Sequence, residues 1–120
     1  MSNPTLQKSY VASAAISSFR IVKLGAADGQ VTSAAAATDL LIGVCNEVGP
    51  AINERCDVIH AGIAFVEAGA AVTRGSSITS DASGRGIATT TTANRVIGVA
   101  LEAAGAAGDM IRVLIAPSVY

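Results

Sequence analysis

The sequence contains an internal repeat with a long, constant spacing. Four short stretches recur at one common spacing of 55 positions: residues 41–44 (LIGV) as 96–99 (VIGV), Glu47 as Glu102, 57–61 (DVIHA) as 112–116 (RVLIA), and 28–29 (DG) as 83–84 (SG). Apart from this glutamate, the repeated parts are apolar runs and turn pairs, and no catalytic motif repeats with them. We therefore predict a duplicated β-scaffold whose product is a surface rather than a reaction.

The apolar composition favours strands over helices. Of the hydrophobic residues 24 are Ala, which contribute little area, while Val and Ile total 23 against 6 Leu. β-branched side chains lose rotamer freedom in a helix and pack well on a pleated surface. With 120 residues, the chain is long enough for one domain with a core of its own.

Charge and aromatic content exclude several partner classes. The net charge is −1, charged residues make up 14%, and no run of Lys or Arg occurs, so the sequence predicts no nucleic-acid partner. Aromatic residues make up 3%, too few for a base-stacking platform. No stretch has the length and apolarity of a membrane span, so no membrane partner is predicted either.

Alternating apolar positions and Gly-containing turns divide the chain into short strands. We predict strands at 19–24, 30–32, 40–48, 56–67, 76–79, 86–89, 95–102 and 110–116. Eight or nine strands at this spacing predict an all-β fold, a compact β-barrel or sandwich. We expect it to be one β domain, residues 19–120, built from two similar halves at about 19–68 and 74–118, each burying its apolar face against the other.

The first 18 residues predict an extended N-terminal arm. Pro4 interferes with regular strand pairing, and polar residues interrupt the small apolar ones. Two alternatives stay open for residues 1–18: a disordered tail, or an extended segment that docks on a neighbouring molecule.

Polar residues that could carry chemistry are few and isolated. Cys45 and Cys56 end and begin consecutive strands, so they are either two buried thiols or a disulfide across a hairpin. His60 is the single histidine and is expected to be a half-buried structural residue. Glu47 and Glu102, being repeat mates, are either solvated strand ends or a paired acid site.

No motif for catalysis or cofactor binding is present. The sequence has no phosphate-binding glycine loop and no nucleophile elbow, and two Cys with one His cannot close a structural zinc site. We predict that the protein is not an enzyme, with no catalytic residue, no cofactor, no metal and no small-molecule substrate.

Five stretches in a fixed order resemble the small capsid cement, or head decoration, proteins of tailed bacteriophages. They are 67–72 (EAGAAV), 75–81 (GSSITSD), 84–87 (GRGI), 97–104 (IGVALEAA) and 107–114 (AGDMIRVL). The likeness covers residues 60–115 well and the first half more loosely. The hairpin at 45–56, with its cysteines and its proline, departs from the family pattern.

The resemblance implies a structural virion protein, made in the host cytoplasm and seated as a homotrimer on the exterior of a phage head. Its partner would be the major capsid protein, whose expanded shell it stabilises. An arm commonly contributes to shell contact, so Pro4, Thr5, Leu6 and Tyr10 are candidate capsid-binding residues. Two other functions are weighed against this one: a tail or spike β-module, and a small ligand-binding or enzymatic barrel.

Overall fold

Nine strands account for the regular structure of the chain. In the computed structural model, which describes residues 3–120, the strands are β1 Asn3–Ala12, β2 Ile21–Leu24, β3 Gln30–Ser33, β4 Leu41–Cys45, β5 Arg55–Glu67, β6 Ser77–Ser80, β7 Gly86–Ala88, β8 Arg95–Ala100 and β9 Met110–Val119. The all-β prediction is confirmed. Met1 and Ser2, part of the predicted arm, lie outside the described residues.

The strands join into one mixed sheet in the order β1-β3-β2-β4-β5-β9-β8-β6-β7. Read outward from the central β5–β9 pair, the sheet continues through β4, β2 and β3 on one side and through β8, β6 and β7 on the other. β1 also pairs with β5. The five strands β1, β3, β2, β4 and β5 are therefore each paired with the next in this order, and the last of them, β5, pairs again with the first, β1. Where the sequence left barrel and sandwich open, the pairings give a single sheet.

The first strand differs most from the sequence-based prediction. Residues 3–12 form β1, which pairs antiparallel with β5 from Asn3 opposite Ile63 to Val11 opposite Arg55. Register shifts on either side of Leu6 accommodate the irregular sequence around Pro4. Further on, Ile16 is buried. The segment expected to be an arm ahead of the domain is therefore, over these residues, part of the sheet.

Alternating side chains direct two groups of apolar residues inward. In β9 the buried residues are Ile111, Val113 and Ile115, and the residues between them are exposed. The larger core cluster contains these three together with residues from β2, β4, β5, β6 and β8. A second cluster lies beneath β1 and comprises Ala12, Ile16, Val22, Val31, Cys45, Cys56 and Val58.

Two glycines explain the most repeated motif. Gly43 on β4 and Gly98 on β8 are the glycines of LIGV and VIGV. A Cβ on Gly43 would lie 2.5 Å from the carbonyl oxygen of Ile59, and a Cβ on Gly98 would overlap the carbonyl oxygen of Leu114. Ile59 and Leu114 are themselves 55 positions apart. Glycine is required at both positions because the backbone of the following strand passes too close for any side chain.

Candidate functional site

The candidate capsid-binding residues divide into an exposed group and an anchored one. Pro4, Thr5 and Leu6 are exposed on β1, and Leu6 has 57% of its surface accessible. Tyr10 is only half-exposed and packs against the second core cluster. The structure therefore leaves the first three residues available for a partner, whereas Tyr10 holds β1 to the domain.

One edge of β1 is open along most of its length. Val11 pairs with β5 on one edge and with β3 on the other, which shows that these neighbours lie on opposite sides. The β3 pairing covers only Val11 and Ala12. Among residues 3–120, the rest of this edge has no strand partner, and unpaired strand edges are templates for pairing with another chain.

His60 is a structural residue rather than a catalytic one. Its Nδ1 lies 2.9 Å from the carbonyl oxygen of Ile42 and its Nε2 lies 2.8 Å from the hydroxyl oxygen of Tyr10. Because a carbonyl can only accept, Nδ1 carries the proton, and in this tautomer Nε2 accepts from the Tyr10 hydroxyl. Both nitrogens are occupied in linking β4, β5 and β1, which agrees with the expectation of a half-buried structural histidine.

Cys45 and Cys56 are two buried, free thiols on adjacent strands. Their sulfur atoms lie 3.5 Å apart, and the Cys45 thiol is also 3.4 Å from the carbonyl oxygen of Val48. The hydrogen bond with Cys56, together with burial, raises the pKa of the Cys45 thiol well above its ordinary value. The same hydrogen bond lowers the pKa of the Cys56 thiol, and burial shields both sulfur atoms from an oxidant while the strands stay closed.

We expect hydrogen peroxide to convert this pair into an intramolecular disulfide, slowly in water and faster in mild denaturant. Two thiols and one peroxide give one disulfide and two waters, so the protein loses about 2 Da by mass spectrometry. Closing so short a loop should raise the free energy of unfolding by about 2 kcal/mol. Cys45→Ala is the control, since its remaining thiol has no partner in the chain. Disulfide-linked dimers of the wild type would contradict the geometry.

The repeat mates Glu47 and Glu102 have different surroundings. Glu102 accepts hydrogen bonds from both Nε and Nη2 of Arg112, at 3.0 and 3.1 Å, and from the Arg112 backbone N–H at 2.9 Å. The Arg112 side chain lowers the pKa of this exposed carboxyl. Glu47 joins none of the ion pairs within residues 3–120. In the described part of the chain, Glu102 is thus paired with an arginine, whereas Glu47 has no ion-pair partner.

Glu47 lines a cavity on the surface of the protein. This cavity has a volume of about 460 Å³, and its walls come from five separate parts of the chain: Pro4, Gln7, Phe19, Asn46, Glu47, Ile59 and Phe65. Glu102 is not among the lining residues, so the cavity is not the paired acid site considered from the sequence. A concave space of this size falls within the range of small-ligand sites.

Two aromatic residues of this cavity were not singled out by sequence reasoning. Phe19 and Phe65 are the only phenylalanines of the chain, and their rings meet edge to face with centroids 6.3 Å apart. Phe19 has a positive φ of 62°, and its backbone bonds to Asn46 and Glu67. The one signal in the sequence was the rarity of aromatic residues in this chain.

A network of charged side chains fastens the turn after β6 to β2. Asp81 accepts from the backbone N–H groups of Ser83 and Arg85, as a short acidic side chain in a turn commonly does. Arg85 contacts both Asp81 and Glu67, and Arg20 contacts Glu67 and the carbonyl oxygen of Ser83. These contacts tie the turn, the end of β5 and the start of β2 together, and only the buried Nε of Arg20 is left without a hydrogen-bond partner among the described residues.

No described group of side chains has the make-up of a metal site. Within residues 3–120, no three His, Cys, Asp or Glu side chains cluster closely enough to hold a metal ion. The same part of the chain contains no helix long and apolar enough to cross a membrane.

Comparison with known proteins gives a fold match and a family match. The fold is similar to the crystal structure of the head fiber gp8.5 N base of bacteriophage phi29, with a TM-score of 0.74, 17% sequence identity, and coverage of 92% of this chain and 93% of that one. No curated protein shows significant similarity to the chain. The model of the phage cement protein family matches residues 2–115. Because this match spans nearly the whole chain, the protein belongs to the phage cement protein family, whose members are non-enzymatic structural components of the virion head.

Proposed function

We propose that this protein binds the outer surface of a phage head and stabilises the expanded capsid shell. The observation that carries the proposal is the family match over residues 2–115. The partner is the major capsid protein, and the protein acts as a homotrimer made in the host cytoplasm. The exposed open edge of β1 and the absence of a catalytic arrangement among the described side chains both support a binding role.

The physical basis of stabilisation is differential binding. A protein that binds the expanded shell, and binds the immature or broken shell more weakly, shifts the equilibrium toward the expanded form by mass action. At a concentration of about 100 times the Kd this amounts to ~2.7 kcal/mol per site. Because a shell offers many equivalent sites, the sum opposes rupture strongly even when each contact is modest.

The proposed contact is an added strand at the open edge of β1. An extended segment of the capsid protein can hydrogen-bond along this edge through backbone groups, while Pro4, Thr5 and Leu6 provide side-chain contacts. Tyr10 supports the contact indirectly, because its hydrogen bond with His60 holds β1 against the domain.

Replacing Leu6 with aspartate should weaken head binding. The substitution removes a side chain that is 57% exposed and adds a charge at the proposed contact, so we expect a loss of about tenfold or more in affinity. Leu40→Asp is the matched control, because Leu40 is 51% exposed but lies outside β1. If Leu6→Asp binds heads in cosedimentation as tightly as Leu40→Asp and the wild type do, β1 is excluded from the contact.

The function itself is tested by mixing the purified protein with undecorated heads in the unexpanded and expanded states. We expect cryo-electron microscopy to show the protein on the exterior of expanded heads, and decorated heads to release DNA at a higher temperature. Density on tails or spikes of the virion, with none on heads, would favour the alternative of a tail or spike module. Light scattering on the free protein tests the trimer.

We also propose that the two halves, 19–68 and 74–118, are copies of one unit. The equivalent close approaches of Gly43 and Gly98 support this, as do equivalent backbone bonds: the Asn46 N–H donates to the Asp57 carbonyl, and the Leu101 N–H donates to the Arg112 carbonyl. The duplication matters for function because differences between the copies mark features added to a common scaffold.

A further inference from the structure

One difference between the two copies concerns the ion pair formed by Glu102 and Arg112. In the second copy, Arg112 binds the carboxylate of Glu102 through two of its nitrogens. In the first copy, Glu47 occupies the position of Glu102, and Asp57 occupies the position of Arg112. The backbone bond between the two strands is kept, so the local frame is the same. The first copy therefore keeps the carboxylate, as Glu47, and the backbone bond between the strands, but it has Asp57 where the second copy has the arginine.

The space beside Glu47 has the character of a cation site. Phe19 and Phe65 contribute aromatic side chains to its lining, Gln7 contributes an amide side chain, and Glu47 contributes a carboxylate. Aromatic faces attract cations, and this attraction is stronger where water is partly excluded. Within residues 3–120, no Lys or Arg lines this cavity. The charge that would complement the site has to come from another molecule.

We propose that this cavity binds the guanidinium group of an arginine that projects from the capsid shell. The inference rests on the proposed function for the source of the arginine, but the site itself is defined by this chain alone. Arginine is favoured over lysine because its planar fork matches a carboxylate through two bonds, as Arg112 does for Glu102, and because it stacks on aromatic rings. Pro4 places the cavity beside the exposed end of β1, so one capsid segment can reach both.

The site can be tested without heads by titrating N-acetyl-L-arginine amide and following backbone amide shifts by NMR. We expect shifts at Gln7, Phe19, Asn46 and Phe65, with a Kd on the order of 1 mM, which is typical of a small probe on an open site. Glu47→Gln should weaken binding about two- to fivefold, the range of an exposed ion pair. Asp28→Asn makes the same charge change at an exposed position outside the cavity and should leave the Kd unchanged.

A second variant fills the site from within. Asp57→Arg introduces the residue type that the second copy has at the equivalent position, and we expect it to pair with Glu47 as Arg112 pairs with Glu102. The probe should then bind at least fivefold more weakly although Glu47, both phenylalanines and the fold are intact. Unchanged probe binding to both Glu47→Gln and Asp57→Arg overturns the proposal.

Binding of the same variants to expanded heads, measured in place of binding to the probe, distinguishes failure of the arginine inference from failure of the proposed function. Reduced head binding by Glu47→Gln and Asp57→Arg, with Asp28→Asn unaffected, supports an arginine from the shell. If the wild type binds heads and all variants bind equally well, the arginine inference is wrong and the decoration function stands. If the wild type does not bind heads, the decoration function fails, and the probe titration still decides the site. Loss of trimer in Glu47→Gln would identify a second copy as the source and overturn the shell assignment.

Discussion

Replacing Gly98 with alanine is expected to cost about 3 kcal/mol or more of the free energy of unfolding. The new Cβ would overlap the carbonyl oxygen of Leu114 on the neighbouring strand, with the Leu114 carbonyl carbon and the Ile115 Cα close behind it. All three atoms belong to the backbone, so no rotamer change can make room. Relief requires β8 and β9 to move apart, and Ile97, Val113 and Ile115 pack in the core on these strands.

Gly43→Ala should have the same kind of effect but a smaller one. Its Cβ would meet the Ile59 carbonyl oxygen and a Val58 methyl group, each at 2.5 Å, and the methyl group can turn away. Gly105→Ala is the control: its φ is outside the left-handed region, and the nearest atom would be 3.6 Å away. We expect it to stay within about 0.5 kcal/mol of the wild type. Urea denaturation of the three variants measures the order of their stabilities directly. Equal midpoints would contradict the close approach of the neighbouring backbone to Gly43 and Gly98.

Much of the scaffold could be predicted because it rests on local patterns. The run of apolar and β-branched residues at 110–116 is visible in the sequence and predicts β9, although the side that faces the core is not, because the exposed Met110 and Leu114 are apolar as well. The turn around Asp81 follows from the ability of a short acidic side chain to bind nearby backbone N–H groups. The repeated stretches 41–44 and 96–99 lie in β4 and β8, so the sequence repeat located these two strands.

The first strand could not be predicted because its evidence lies far away in the chain. Tyr10 is opposite Cys56 and its hydroxyl bonds to His60, 50 positions later. Pro4 and the register shifts beside Leu6 remove the simple alternation that identifies a strand. Read locally, such a segment resembles a tail, and only its pairing with β5 shows that it belongs to the sheet.

Sequence reasoning did not predict the cavity for a related reason, although the charge difference beside it could be read from the sequence. Its walls come from positions 4 to 65, so no local window contains it. The charge difference between Glu102 with Arg112 and Glu47 with Asp57 can nevertheless be read from the aligned copies. Where two parts of a sequence repeat, an ion pair that is present in one part and absent from the other is a signal that composition and motif searches do not register.

Deleting residues 1–10 should abolish cooperative folding rather than trim a tail. The deletion removes β1 from β5 over the register Asn3–Tyr10, uncovers one side of the second core cluster, and leaves Nε2 of His60 without its hydroxyl partner. We expect the loss to exceed about 5 kcal/mol, the lower end of the stability of a small domain. Loss of head binding by this variant would therefore reflect unfolding, which is why Leu6→Asp is the informative change at the proposed contact.

The deletion becomes a sharp test when the strand is supplied separately. A synthetic peptide of residues 1–13, added in excess to the shortened protein, should dock on the open edge of β5 and restore the thermal transition. A peptide with Tyr10→Ala should restore it less well, because it lacks the hydroxyl that His60 accepts from and the ring that packs on the second core cluster. If the shortened protein instead melts like the wild type without any peptide, β1 contributes nothing to the domain and these residues are a detachable arm after all.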